Sequence, residues 1–454
     1  MKQLPTEFIK RMKAMLIDEY ADYEKAINEP PVKAFRVNTD KISIKDFEKI
    51  NLFGGTKIPY VQNGYYLDYE KAGNHPFHHA GMIYVQEPAA MAPAECIDIA
   101  PDSKILDMCA SPGGKSTQLK NKLGDGGVLV ANEIIPSRCK ILTGNIERLG
   151  LKNCVTTCMD TRRLAEIFPD TFDVVMVDAP CSGEGMFRKE QVAIDEWSIE
   201  NVKKCAARQK EILENAVKCL KSGGTIIYST CTFSLEENEM TVDTFLKSHP
   251  NFEIIPVKQE VRDATCDGIE FDGCACENIH FARRFYPHKN SGEGQFMAVL
   301  RHKGEKMSDF NMRKNQAVKP DSVLVDFLDD TLQDYNKNDI VLYGDTPVFY
   351  SGDIGIQKGT AFMCGVTIGE IKKNYVLPHH QFFSAFGSSF KRKIDLDPNG
   401  EEIIKYLHGE EIKTDCENGW AAVTVCGVAL GGAKVSGGTA KNHYPKGLRI
   451  KSKP

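Results

Sequence analysis

Between residues 96 and 302, short apolar runs alternate with longer stretches of helical periodicity. The runs are "KILDM" (104–108), "GVLVANE" (127–133), "NCVTTCMD" (153–160), "DVVMVDAP" (173–180), "GTIIYST" (224–230) and "FMAVL" (296–300). Each is too short for a buried helix and is bounded by turn residues, so each reads as a strand. Strands that alternate with helices predict a parallel sheet covered on both faces, because each crossover lays a helix on the sheet. The stretch "SIENVKKCAARQKEILENAVKCLKSGG" predicts a helix ended by its Gly pair that leads into the strand before Cys231.

Around this core, residues 1–95 open with helical spacing (Phe8, Met12, Met15, Leu16, Tyr20) and continue through a short strand in "AFRVNTDKIS", a small cap domain. Residues 303–320 are polar and read as a linker, and 321–375 as a small intermediate domain of weak signal. Residues 376–454 combine a short helix, "GEEIIKYLHGEEI", with Gly-punctuated strands, "WAAVTVCGVALGGAKVSGG", a β-rich module.

The 454 residues suffice for several domains, and 42% hydrophobic with 26% charged residues is a globular composition. No apolar stretch approaches the roughly 18 residues of a membrane span. The start "MKQLPTEFIKRMKAML" lacks a signal-peptide h-region, so a cytoplasmic protein without a membrane partner is expected. Fifteen cysteines scattered through strands and helices fit a reducing compartment better than a disulfide framework. The net charge of -5 argues mildly against a nucleic-acid partner, yet after Glu417 there is no acidic side chain, while Lys434, Lys441, Lys446, Arg449, Lys451 and Lys453 make the end basic.

"KILDMCASPGGKSTQL" reads as strand, Gly-rich turn and helix start, an arrangement in which backbone N–H groups meet a cofactor. It is not a nucleotide P-loop, which would need glycine where Cys109 stands. Glu133 ends the second strand about 20 residues beyond the glycines, where a carboxylate can grip ribose hydroxyls, and Asp160 ends the next, within reach of the cofactor's base. Asp107, Glu133, Asp160 and Asp178 in series mark the carboxyl edge of the sheet, where open α/β sheets bind ligands.

Cys181, in "DAPCSGEGMFRK", and Cys231, in "YSTCTFSLEENE", each follow a strand rather than sit within it. If the two strands are neighbours, both thiols meet beside the cofactor. Cys96, Cys139, Cys154, Cys205 and Cys219 read instead as packing.

Together "DMCASPGGKSTQL", "DAPCSGEGMFRK", "YSTCTFSLEENE" and "RRFYPHKNSGEGQFMAVL", with "FRVN" and "GMIYVQEPAAMAP" in the cap, resemble the Sun/NSUN family of RNA cytosine carbon-5 methyltransferases, in its bacterial RsmF-like branch. "GTAKNHYPKGLRI" resembles the PUA-like RNA-binding end of that branch. The resemblance implies a Rossmann-like class I methyltransferase domain with a mixed, mostly parallel sheet, flanked by an N-terminal cap and a PUA-like domain. It implies S-adenosylmethionine held by Cys109, Ala110, Ser111, Pro112, Gly113, Gly114 and Lys115 with Glu133, Asp160 and Asp178. Cys231 becomes the nucleophile, Cys181 the thiol of product release, Asp178 the acid toward ring N3, and Lys115 an aid to thiolate formation or base binding.

The implied substrate is RNA, 16S rRNA near the decoding region, free or within the small subunit, bound by a monomer. Arg36, Asn38, Arg188, Arg284, His288, Lys446 and Arg449 are the candidate RNA contacts, with Arg162, Arg163, Lys189 and Arg283 beside them. The same chemistry on tRNA or 23S rRNA, or a non-catalytic ribosome assembly factor, are the rival readings. Cys266, Cys274, Cys276 and His280, and the triplet His75, His78 and His79, have spacings a metal could use, but the family pattern places none there, and no metal is expected.

Overall fold

The computed structural model describes residues 4–69, 71–305 and 320–450. The linker residues 306–319 and the terminal Lys451 and Lys453 lie outside the described residues.

The cap carries a three-stranded antiparallel sheet of β1 (Ala34–Val37), β2 (Gly64–Tyr66) and β3 (Ile83–Val85), with β1 in the centre. The central sheet follows with β4 (Lys104–Asp107), β5 (Val128–Asn132), β6 (Cys154–Thr157), β7 (Phe172–Asp178) and β8 (Leu220–Thr230). It continues with β9 (Phe252–Ile255), β10 (Cys266–Asp267), β11 (Arg283–Phe285) and β12 (Gln295–His302). Its order is β10-β11-β12-β8-β7-β4-β5-β6, parallel from β8 to β6 and antiparallel at β12, with β9 also paired to β12.

Alternate side chains of each strand feed opposite faces. Leu106, Val130, Val175 and Ile226 pack against Leu164, Ile212, Leu213 and Val242 of the helices Thr161–Ile167, Ile199–Cys219 and Glu239–Ser248. Ile105, Leu129, Met176 and Ile227 pack against Leu119, Leu142 and Ile146 of the helices Gly114–Lys120 and Pro136–Leu149. A sheet buried on both faces demands the near-continuous apolar runs seen in the sequence. The chain winds outward from β4 to β6 and then returns to β7 on the other side, so β4 and β7 flank a topological switch point. The crevice there is where such sheets bind ligands.

The helix before β8 ends differently from expectation. Its last residue is Cys219, with Leu220 already extended, and Gly223 and Gly224 lie inside β8. Pairing with β7 begins at Phe172 and Leu220 and shifts register before Val174, so tertiary pairing claims residues whose composition favours a helix stop.

Segment 321–375 divides its packing. Val341, Val348, Tyr350 and Ile354 join the core of the central sheet, and its strand Met363–Cys364 pairs antiparallel with β6. Leu324, Leu328, Ile340 and Val366 join Phe382, Phe383 and Trp420 of the C-terminal module. That module is a five-stranded sheet with the helix Glu401–His408, and its Ile403, Tyr406, Leu430 and Tyr444 share one core with Phe35, Phe47 and Phe77 of the cap.

Candidate active site

The β7–β8 register builds the site. Asp178 pairs with Ser229, so the loops that leave the two strands start side by side, and Cys181 Sγ and Cys231 Sγ stand 3.2 Å apart. Gly185 makes the close approach possible. Its N–H donates to Cys231 O at 2.9 Å, and a Cβ there would meet that same oxygen at 2.9 Å and Gly294 O at 2.5 Å. The Cys231 sulfur first, and burial second, push the Cys181 thiol well above its ordinary range, so Cys181 is held protonated.

Across the switch point, Lys115 Nζ donates to Asp178 Oδ2 at 2.8 Å, and Ser229 Oγ donates to Asp178 Oδ1 at 2.7 Å. Burial pulls the Lys115 ammonium down, but Asp178, with smaller help from Cys231, holds it above its ordinary value. Ser229 was not singled out from the sequence; its place two residues before Cys231 on a strand is the signal that would have found it.

Beside this pair lies a cavity of about 250 Å³ lined by Tyr84, Gln86, Asp107, Cys109, Ala110, Ser111, Pro112, Gly114, Lys115 and Asp178. Gly113 adopts φ 109°, a left-handed value that a side chain would resist, and turns the chain into the helix Gly114–Lys120. Asp107 is fully buried; Ser116 Oγ donates to its Oδ2 at 2.6 Å, while Oδ1 has no protein partner. Burial raises its carboxyl to about 7. Burial likewise pushes the Cys109 thiol up, which disqualifies it as a thiolate. A larger cavity of about 530 Å³ lies between the cap and Ile97–Ile99, and none of its lining residues belongs to this cluster. Volume does not mark the site; convergent chemistry does.

Two expected cofactor contacts occupy the same sheet edge without lining the cavity. Glu133 is buried, accepting from Ile135 N–H at 2.9 Å, with Arg138 3.5 Å away. Asp160 is exposed and caps the helix Thr161–Ile167 by accepting from Arg163 N–H at 2.9 Å.

Most of the expected RNA contacts take internal roles instead. Arg36 is buried and donates to Gln86 Oε1, Gly114 O and Thr117 Oγ1, tying β1 to the helix that carries Lys115. Asn38 is buried and donates to Gly81 O and Leu149 O. Arg188 is buried against Glu293 at 2.9 Å, and Arg284 against Glu239. Arg283 is buried against Asp267, and the His288 ring packs edge-on to Tyr23 with Nε2 3.4 Å from Glu19. A buried charge must be paired, and once paired it is unavailable to a phosphate. Lys446 remains exposed, and Arg449 is half-buried with its guanidinium at Tyr444 O.

His75 caps the helix Pro76–His79, and His79 meets Tyr444 Oη at 3.2 Å across the boundary between cap and C-terminal module. Among the described residues, no group of three or more His, Cys, Asp or Glu side chains has the geometry to hold a metal. No helix among them is long and apolar enough to cross a membrane.

Residues 94–301 match the 16S rRNA methyltransferase RsmB/F family, residues 4–88 the N-terminal domain of 16S rRNA methyltransferase RsmF, and residues 393–450 the methyltransferase RsmF PUA domain. The ribosomal RNA small subunit methyltransferase F of Klebsiella pneumoniae (strain 342) is 30% identical over 98% of this chain and 96% of its own length. The chain belongs to the RsmF family of methyltransferases. A second member, from Vibrio cholerae, is 29% identical over 98% of this chain and 97% of its own. The crystal structure of a methyltransferase homolog from Pyrococcus horikoshii superposes with a TM-score of 0.58 and 28% identity, covering 66% of this chain and 95% of that one. The resemblance drawn from the motifs and the fold class expected from it are therefore both met, with the PUA domain at the C-terminal end. The chain is an RNA methyltransferase.

Proposed function

We propose that the chain methylates carbon 5 of a cytosine in small-subunit ribosomal RNA, taking the methyl group from S-adenosylmethionine through a transient bond between Cys231 and the base. The observation that carries this reading is the pair of thiols 3.2 Å apart beside Lys115 and Asp178. The small-subunit substrate rests on the relatives' names.

The cavity fits the cofactor: it offers the backbone of Cys109–Pro112 and the unpartnered, buried Asp107 Oδ1. Gly113, Glu133 and Asp160 complete the set along the same edge. When bound, S-adenosylmethionine supplies an electrophilic methyl group on a sulfonium.

Carbon 5 of cytosine is a poor nucleophile until a thiolate adds at carbon 6. In this scheme Cys231 sulfur forms a bond to carbon 6, the carbon 5–carbon 6 electron pair shifts into the ring, and N3 takes a proton. Asp178 receives hydrogen bonds at both oxygens, so it is the Lys115–Asp178 pair, with the lysine bearing the proton, that faces N3 rather than Asp178 alone. The Lys115 ammonium also favours the Cys231 thiolate. After carbon 5 is methylated its proton must leave, the electron pair left behind expels Cys231, and N3 returns its proton to the Lys115–Asp178 pair. Cys181, 3.2 Å from Cys231, serves that step: the bond from Cys231 to carbon 6 removes the largest cause that holds the Cys181 thiol protonated, so it can give up its own proton and take the one on carbon 5. The target base must be flipped out or unpaired to enter such a site.

Incubating the purified chain with small-subunit rRNA and methyl-labelled S-adenosylmethionine, followed by bisulfite sequencing, tests the reading. Methylcytosine in that RNA is expected. Transfer only to tRNA or 23S rRNA would move the substrate, and binding without transfer would make the chain an assembly factor.

A further inference from the structure

Each cysteine loop carries a buried glutamate that grips the other loop. Glu184, three residues after Cys181, accepts from Phe233 N–H and Thr232 Oγ1, both at 2.9 Å, and from Trp197 Nε1 at 2.9 Å. Glu237, six residues after Cys231, accepts from Ser182 N–H at 2.9 Å and Gln209 Nε2 at 2.9 Å, with its other oxygen against Ser182 Oγ. Ser182 Oγ and Thr232 Oγ1 close the circuit at 2.8 Å.

Counting protons along this circuit gives a result that distances alone do not. Glu237, Ser182, Thr232 and Glu184 form a chain with three oxygen–oxygen contacts, Ser182–Thr232 at 2.8 Å, Thr232–Glu184 at 2.9 Å and Glu237–Ser182 closer than an ordinary hydrogen bond. Three such contacts need three protons, and the two hydroxyls supply two. The third must sit on a carboxyl group. Groups facing the circuit from the surrounding elements decide which one. Arg11 of the helix Thr6–Leu16, itself paired with Glu236 at 2.9 Å, acts as a cation on both glutamates and more strongly on Glu184 than on Glu237. The other titratable neighbours, Tyr23, Cys205, Tyr228, Cys181 and Cys231, bring no positive charge.

We propose that Glu184 and Glu237 share a single proton, seated on Glu237, and that this pair of one acid and one anion positions the two thiol-bearing loops. The direction of the chain is then Glu237 to Ser182 to Thr232 to Glu184. A neutral Glu237 also keeps a second negative charge away from the thiols, where it would oppose thiolate formation. Burial raises both carboxyls, Glu237 to about 7. Neither glutamate touches the reacting atoms, so both are positioning residues. Their role in catalysis rests on the two-thiol reading above; the shared proton does not.

The two glutamates therefore respond differently to the same substitution. Gln at 237 can donate its amide to Ser182 Oγ and accept at its oxygen from Ser182 N–H, as the acid does. Gln at 184 must turn an amide toward Trp197 Nε1 or Phe233 N–H, both donors. In the full-length protein at about pH 6 the infrared buried-acid C=O stretch, to which Asp107 and Glu147 also contribute, should lose one component in E237Q and keep it in E184Q. That component, read as the difference between wild type and E237Q, should titrate away as pH rises. E237Q should keep kcat within about threefold and lose the alkaline fall of the kcat profile, whereas E184Q should lose about 100-fold in kcat with KM for the cofactor little changed. No component lost in E237Q, or one lost in E184Q instead, overturns the shared proton or its seat whether or not the chain transfers methyl groups. A band lost in E237Q together with equal activity in both variants overturns the positioning role.

Discussion

Lys115 Nζ lies 2.8 Å from Asp178 Oδ2, a bond that spans the switch point between the helix after β4 and the end of β7. The lysine side chain is 10% exposed and the aspartate 32%, so the charge faces the cavity more than the solvent. Lys115→Met keeps the aliphatic stem and removes the proton-bearing head. It should lower single-turnover methyl transfer by about 100-fold, as loss of one aligned donor does elsewhere, while calorimetry shows the cofactor still binding. Unchanged transfer would remove the pair from the chemistry.

The two thiols separate by trapping. Cys231→Ala should abolish transfer and form no bond to RNA, whereas Cys181→Ala should attack, methylate and stall as a protein–RNA adduct that survives denaturing electrophoresis. The double variant should show no adduct, because nothing is trapped without the first attack. Adduct in Cys231→Ala alone would exchange the roles.

In the proposed reading Glu133 takes the cofactor ribose, and it is buried where it accepts from Ile135 N–H. Glu133→Gln should weaken S-adenosylmethionine binding by about 1.5 to 3 kcal/mol, the range for a hydrogen bond to a charged group. Calorimetry that shows equal affinity would take Glu133 out of the site.

Of the basic candidates, Lys446 is exposed and Arg449 half-buried. Neutralising both should flatten the salt dependence of binding to single-stranded RNA, by roughly 0.7 in log–log slope for each phosphate left without its cation. Arg188→Gln should instead lower the thermal midpoint, since it strands the buried Glu293. A change in salt slope from Arg188→Gln, with stability intact, would return that residue to the RNA surface.

Acid should loosen the boundary between cap and C-terminal module. Burial, its first cause, pushes His78 and His380 down to about 3 and His75 and His79 to about 4, from an ordinary 6.5. Folded pKa values below the unfolded ones mean that the neutral rings contribute their full stability above about pH 6.5 and lose it as pH falls toward the folded values. Denaturation at about pH 7 and about pH 5 should show that loss, and His380→Phe should shrink it. An equal loss in the variant would place the acid sensitivity elsewhere.

Read by itself, the sequence determined β4 to β8 and β12 of the central sheet and the residues that end them, but not the short antiparallel strands β9, β10 and β11. Parallel strands buried on two faces must be short apolar runs, and the polar or thiol residue that follows each run necessarily emerges at the sheet's carboxyl edge. That local logic put Asp107, Asp178, Cys181 and Cys231 on one edge. It could not decide the helix stop before β8, because the Gly pair 223–224 favours an ending that pairing with β7 overrules. Nor could it decide the fate of the arginines. Arg188 resembles a phosphate ligand until the fold brings Glu293, 105 positions away, to 2.9 Å. The 3.2 Å between the thiols and the circuit through Glu184 and Glu237 likewise belong to the register of two strands 50 residues apart. A side chain's type is written locally, but its partner is chosen by packing, and only the tertiary structure says whether a charge is spent inside the protein or left for a ligand.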